Sequence, residues 1–282
     1  MPRSPRSSSA RAEGVPDDFD APGREDRAVR SIRSVRAVLL GVVLALIAAL
    51  PVSAQATTQP FAPDGVLFYP SVGGLMPALN VIHPCSASVV HSAGHDLVAT
   101  AAHCLYGNGA TIEFVPGFRD GKAPYGVWTV SRLYVESAWK SGQSPQADVA
   151  FLRILPLHGR QIEDVVGARP LGTPVVGARV TVSGFPLRSN VPSVCVSTLT
   201  LTLGYPTARC PSGGMVDGVS GGAFVQSGWL VGVVGGLEQG GCSADIAYSA
   251  PFGIASHQLW LRAQAGGPGD FILPGFLANS CR

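Results

Sequence analysis

The stretch Thr100-Ala101-Ala102-His103-Cys104 follows an apolar run, Leu97-Val98-Ala99, and sets a histidine against a cysteine. A lone histidine in that place is most simply structural. Two downstream stretches change the reading. Asp148 lies in Ala147-Asp148-Val149-Ala150-Phe151-Leu152, and Ser220 in Gly218-Val219-Ser220-Gly221-Gly222. Histidine, aspartate and serine follow one another in one of the few chain orders by which a Ser-His-Asp constellation is built.

A serine hydroxyl is a poor nucleophile at neutral pH. It needs a base within hydrogen-bond reach, and that base needs a partner that fixes its tautomer. His103 is the candidate base, Asp148 the orienting carboxylate and Ser220 the nucleophile. The glycines around Ser220 permit a tight turn that aims the backbone N–H groups of Gly218 and Ser220 at one point. Two such donors form an oxyanion hole, which stabilises a tetrahedral intermediate. Each stretch alone is weak; their joint occurrence in order points to serine hydrolase chemistry.

The N-terminus is set aside before any reading of the fold. Residues 37–50 are an apolar run preceded by Arg30, Arg33 and Arg36 and followed by Val52-Ser53-Ala54. A basic segment, a short apolar core and a small-residue end predict a signal peptide, cleaved near Ala54 or Ala56. The run is short for a spanning helix, which needs about 20 apolar residues, so an uncleaved N-terminal anchor is the lesser alternative. The polar, Arg/Ser/Asp-rich start is expected to be disordered, making residues 1–54 leader and 55–63 a flexible lead-in. Residues 1–54 hold 8 of the 20 basic and 6 of the 18 acidic residues, leaving 12 of each. The exported chain is therefore formally neutral, and no nucleic-acid partner is expected. All six cysteines (Cys85, Cys104, Cys195, Cys210, Cys242 and Cys281) lie in the exported part, and an even count there implies disulfides.

Glycine (35) and proline (23) make up about a fifth of the chain, and long amphipathic helical patterns are scarce. Many short strands joined by turns are expected. Strand candidates are residues 66–69, 86–90, 96–102, 112–115, 127–135 and 149–155, then, after a polar connection at 156–172, residues 177–184, 194–203, 222–226, 229–234 and 246–250. Residues 254–264 suit a short terminal helix. Two runs of strands without strand–helix alternation predict two β-barrels side by side.

T-A-A-H-C, D-V-A-F-L and G-V-S-G-G together resemble the three signature blocks of the chymotrypsin-like (trypsin-fold) serine peptidases. Phe114-Val115-Pro116-Gly117, Pro124-Tyr125-Gly126 and Gly184-Phe185-Pro186 are more similar to secreted bacterial trypsin-like members and glutamyl endopeptidases. The resemblance implies an all-β fold of two six-stranded antiparallel barrels, about 64–160 and 173–255 within a domain at 64–282. The active site lies in the cleft between them, and a short C-terminal helix follows. It implies a secreted serine endopeptidase that takes peptide or protein substrates, acts as a monomer and needs no cofactor or metal. It also implies a Cys85–Cys104 disulfide; Cys195–Cys210 and Cys242–Cys281 are offered for the rest.

Departures from the family pattern are informative. Val219 stands where trypsin-like members carry an aspartate that receives a new N-terminal ammonium on activation. Val72-Gly73-Gly74 superficially resembles such an N-terminus but is read as a loop. The substrate pocket is expected from Gly214 and Met215 at its base and Gly235, Gly236 and Leu237 on its wall, which suggests an apolar pocket. No aspartate at the base attracts Lys or Arg, and no histidine on the wall supports Glu preference; Glu238 offers the alternative of a basic side chain.

Two rival readings use the same residues. An α/β-hydrolase esterase would order its triad Ser220, Asp245, His257, but only 12 residues separate the last two and strand–helix alternation is missing. A non-catalytic protease-like binding module would be expected to lack a triad member. His91 and His95 are assigned to a surface hairpin without metal, His83 to a loop, and Trp128, Trp139, Trp229 and Trp260 to packing.

Overall fold

The computed structural model describes residues 61–69 and 83–273. The leader, most of the lead-in, Val72-Gly73-Gly74 and Cys281 lie outside the described residues. Among the described residues no helix is long and apolar enough to cross a membrane.

Six strands form the first barrel: β1 (Asp64–Phe68), β2 (Cys85–Val90), β3 (Leu97–Thr100), β4 (Glu113–Pro116), β5 (Trp128–Val135) and β6 (Ala150–Ile154). They close in the order β1-β2-β3-β6-β5-β4, and every pairing is antiparallel. Alternation of side chains along a strand sends Val98 and Leu152 into the barrel with Leu67, Ile112, Phe114, Trp128 and Leu133. Leu97, Ala99 and Phe151 point the other way and meet Ala223, Leu230 and Val233 of the second half. Strands β3 and β6 are thus buried on both faces, which explains their apolar runs, whereas β5 exposes Thr129 and Arg132.

The second half has seven strands: β7 (Arg179–Gly184), β8 (Ser193–Thr198), β9 (Thr200–Thr202), β10 (Tyr205–Arg209), β11 (Ala223–Gln226), β12 (Trp229–Val233) and β13 (Ile246–Tyr248). They form a four-stranded sheet, β12-β11-β7-β8, and a three-stranded sheet, β13-β10-β9. A Cys195–Cys210 disulfide and a Val234–Ser249 bridge join the sheets. Both wrap one core that includes Val180, Val182, Leu199, Ala208, Phe224 and Val231. The expected strand 194–203 breaks in two because Leu199 turns inward. β10 went unpredicted because Pro206 reads as a strand breaker, and yet Pro206 O accepts a hydrogen bond from Ser249 N–H (2.9 Å).

Short helices α1 (Ser137–Gly142) and α2 (Ile162–Val166) are too brief to show periodicity in the sequence. The terminal helix α3 (Ile254–Ala265) packs Leu259 and Ala263 onto the inter-barrel core. Trp128 and Trp139 are buried as expected, whereas Trp229 is half exposed.

One buried ion pair ties the halves together. Arg169, on the connection, donates to both carboxylate oxygens of Asp64 in β1 (2.5 and 3.1 Å). It also donates to Ser88 Oγ of β2 (2.7 Å), and Ser183 Oγ of β7 donates to Asp64 (3.0 Å). Removing one member of such a set leaves an uncompensated buried charge. Arg169→Leu is expected to destabilise the protein by about 3–5 kcal/mol, read as a lower urea midpoint with unchanged slope.

Candidate active site

His103 lies in a 3₁₀ turn, Ala102–Cys104, at the end of β3. A Cys85–Cys104 disulfide ties that turn to the start of β2. Asp148 follows a second 3₁₀ turn, Pro145–Ala147, just before β6. Strands β3 and β6 are neighbours with Thr100 paired to Ala150, so the two residues emerge at one end of the barrel.

The Asp148 carboxylate is 1% exposed and accepts three hydrogen bonds. His103 N–H donates to Oδ1 (2.8 Å). His103 Nδ1 (2.7 Å) and Gly236 N–H (2.7 Å) meet Oδ2. An ionised carboxylate only accepts, so Nδ1 carries the imidazole proton and Nε2 keeps its lone pair. That tautomer is the one a general base requires. Burial, and then the negative charge of Asp148, push the Tyr205 hydroxyl above the ordinary tyrosine range.

The Ser220 turn belongs to the second half but is bonded to the first. Ser86 N–H donates to Ser220 O (2.7 Å). Ser86 Oγ donates to Gly218 O (2.9 Å) and accepts from Phe185 N–H (2.8 Å). Ser86 O accepts from Thr100 Oγ1 (2.8 Å). Gly221 N–H donates to Val234 O (2.7 Å), and Val234 N–H to Gly222 O (2.8 Å). Gly221 has φ +78°, and a Cβ there would fall 2.1 Å from Thr100 Oγ1 and 2.2 Å from Ser86 O. Only glycine fits that contact between the halves. Among the described residues neither Gly218 N–H nor Ser220 N–H donates within the protein.

A cleft of about 900 Å³ opens beside Ser220. Of the residues expected to form the pocket, Met215 lines it; Gly214, Gly235, Gly236 and Leu237 do not. Val234 lines it instead, with Pro186 to Ser189 on one side and Glu238 to Ala244 on another. Gly235 and Gly236 serve Asp148: a Cβ on Gly235 would lie 2.9 Å from Asp148 Oδ2. Gly214 packs beside Ser193.

Val219 is buried in the second core against Gly184, where a Cβ would stand 2.8 Å from its own. His83 is 2% exposed; its Nε2 pairs with Ser189 O (3.0 Å), a residue of the cleft wall. Burial holds its pKa below the ordinary histidine value. His257 is engaged on α3 with Gly253 O (2.8 Å), and the Asp245 carboxylate accepts from Ser243 Oγ; these contacts join neither residue to Ser220 or to the other. Cys242 is disulfide-bonded; its expected partner, Cys281, lies outside the described residues. The sequence marks Gly236 as a pocket-wall residue and Ser86 as part of a strand, and neither signal reveals the bonds to Asp148 and Gly218.

A sequence model of the trypsin family matches residues 72–256. Among solved structures, the protease Anisep from Arthrobacter nicotinovorans is 28% identical, with TM-score 0.62 over 73% of this chain and 97% of its own. A thermostable serine protease, AL20, from an extremophilic microorganism is 22% identical (TM-score 0.58; 73% and 99% covered). A Glu endopeptidase is 19% identical (0.55; 76% and 95%). The last two are similar in fold alone. No curated protein matches the chain.

Ser86→Ala removes one hydroxyl that serves both Gly218 O and Phe185 N–H. It is expected to cost about 1–3 kcal/mol of stability, measured by thermal or urea unfolding against the parent protein.

Proposed function

The chain belongs to the trypsin family and is a serine-type endopeptidase, and on that premise we propose the following residue roles. Ser220 Oγ attacks the scissile carbonyl while His103 Nε2 takes its proton. The Gly218 and Ser220 N–H groups hold the oxyanion. His103 then gives the proton to the leaving amine, and an acyl group stays on Ser220. Water, activated by the same imidazole, releases it. Asp148 keeps His103 in the required tautomer and stabilises the imidazolium as it forms.

The single observation behind this reading is the His103–Asp148 pair with Nδ1 bound to the carboxylate (2.7 Å) and Nε2 left open. The unpaired N–H groups of Gly218 and Ser220 add support. The chain is further proposed to act outside the cell as a monomer, after cleavage near Ala54 or Ala56. Apolar Met215, Val219 and Val234 beside Ser220 support a medium-to-small apolar side chain at the residue before the cut. The rim charges Arg188, Asp217 and Glu238 offset one another in part.

A fluorophosphonate probe is expected to label the processed protein, and Ser220→Ala to abolish labelling. Asp148→Asn is expected to lower kcat by about ten-thousand-fold, through loss of the tautomer. A processed protein that binds peptides yet neither labels nor cleaves them is a binding module, and the catalytic reading fails. A peptide-library digest is expected to show cuts after apolar residues; dominant cuts after Lys, Arg or Glu would sink the pocket assignment. The mature N-terminus, read by sequencing protein recovered from the medium, is expected to begin just after Ala54 or Ala56.

A further inference from the structure

The far end of the β2–β3 hairpin from His103 carries a second cluster of chemistry-bearing side chains. His91 follows β2, His95 precedes β3, and Glu163 and Asp164 lie on α2 of the inter-barrel connection. The possible ligand atoms of His91, His95 and Glu163 all lie within 4.8 Å of one another. We infer that these three residues form a site for a divalent transition-metal ion of the zinc class. Such an ion would clamp the hairpin to the connection.

The geometry is preorganised at each ligand. His91 Nδ1 meets Glu163 Oε1 at 2.5 Å, and the other carboxylate oxygen accepts from Ser92 N–H (3.2 Å). His95 Nδ1 meets Asp164 Oδ1 at 2.6 Å. Because that carboxylate only accepts, the His95 proton sits on Nδ1 and Nε2 is available as a ligand. A histidine whose second nitrogen donates to a carboxylate is the usual outer arrangement of a zinc ligand. His95 holds φ +54°, an uncommon backbone state for a residue other than glycine, and its carbonyl is fixed by Glu163 N–H (3.1 Å). The two imidazole rings stand 6.1 Å apart.

On binding, the ion takes the place of the proton between His91 Nδ1 and Glu163 Oε1, and that proton passes to solvent. His95 Nε2 supplies the third bond, and water fills the fourth position of a tetrahedron. Two imidazoles and one carboxylate suit zinc, copper or nickel, whereas calcium and magnesium prefer all-oxygen sets. The site stands apart from the Ser220 cleft and does not depend on the catalytic reading.

The test uses metal-stripped, processed protein carrying Ser220→Ala to prevent self-digestion. Zinc chloride and, separately, calcium chloride are titrated calorimetrically, and thermal unfolding is followed in each. One equivalent of zinc is expected to bind with no calcium response. Tm is expected to rise by roughly 5–10 °C at a hundredfold excess over Kd. His91→Ala combined with His95→Asn, chosen because Asn tolerates positive φ, is expected to lose both effects. Asp164→Asn, an exposed change that leaves all three ligands in place, is expected to weaken zinc affinity by about 10–100-fold. Absence of saturable zinc binding overturns the inference. So does one-equivalent binding that survives the double substitution, or an affinity unmoved by Asp164→Asn.

Discussion

The Asp148 carboxylate is the point at which fold and site depend on one another. A buried ionised carboxylate costs several kcal/mol in lost hydration unless donors surround it. Two of its three donors, both from His103, come from the first barrel, and the third, Gly236 N–H, comes from the second half. The carboxylate is therefore fully compensated only when the halves are docked. Docking in turn needs the two glycines: Gly235 leaves room for Oδ2 and Gly236 delivers its N–H.

The remainder of the interface serves the same alignment. Alternate residues of β3 and β6 fill the first barrel, while their neighbours fill the seam. A one-residue slip would exchange the two faces along the whole strand, so register and docking are set together. Two polar groupings mark the seam: the Ser86 hydroxyl with Gly218 and Phe185, and Asp64 with Arg169, Ser88 and Ser183. A polar group buried there is satisfied only in one relative placement, whereas apolar contacts tolerate small shifts.

What could be read in advance follows from how local each signal is. His103, Asp148 and Ser220 each sit in a short stretch whose residue types are dictated by chemistry and turn geometry, so those stretches stand out without a structure. In the first barrel β3 and β6 were legible because both-face burial makes apolar runs, and β5 because it alternates. β10 was hidden because Pro206 masks a paired strand. Gly236 and Ser86 were hidden because their roles exist only across the seam: one supplies a backbone N–H, the other a small hydroxyl. The cleft beside Ser220 is lined by Val234 and Glu238, the residues that flank the expected wall Gly235–Leu237. Gly235 is small to admit Asp148, and Gly236 to admit Ala250 and Tyr205. Gly94 and the strand context around His91 and His95 argue against a helical metal pair, and the carboxylate that meets His91 comes from Glu163, 72 residues away in sequence.

Val219 gains meaning from this arrangement. Family members with aspartate at that place hold the nucleophile turn by pairing it with a newly freed ammonium. Here valine fills the second core beside Gly184, where an ammonium would lose its hydration without a counter-charge. The turn is held by neutral bonds instead: Ser86 to Ser220 O and Gly218 O, and Gly221 to Val234 O. All of those partners belong to the folded barrels themselves. The Ser220 turn is thus tied to the first barrel through Ser86 and to the second half through Val234.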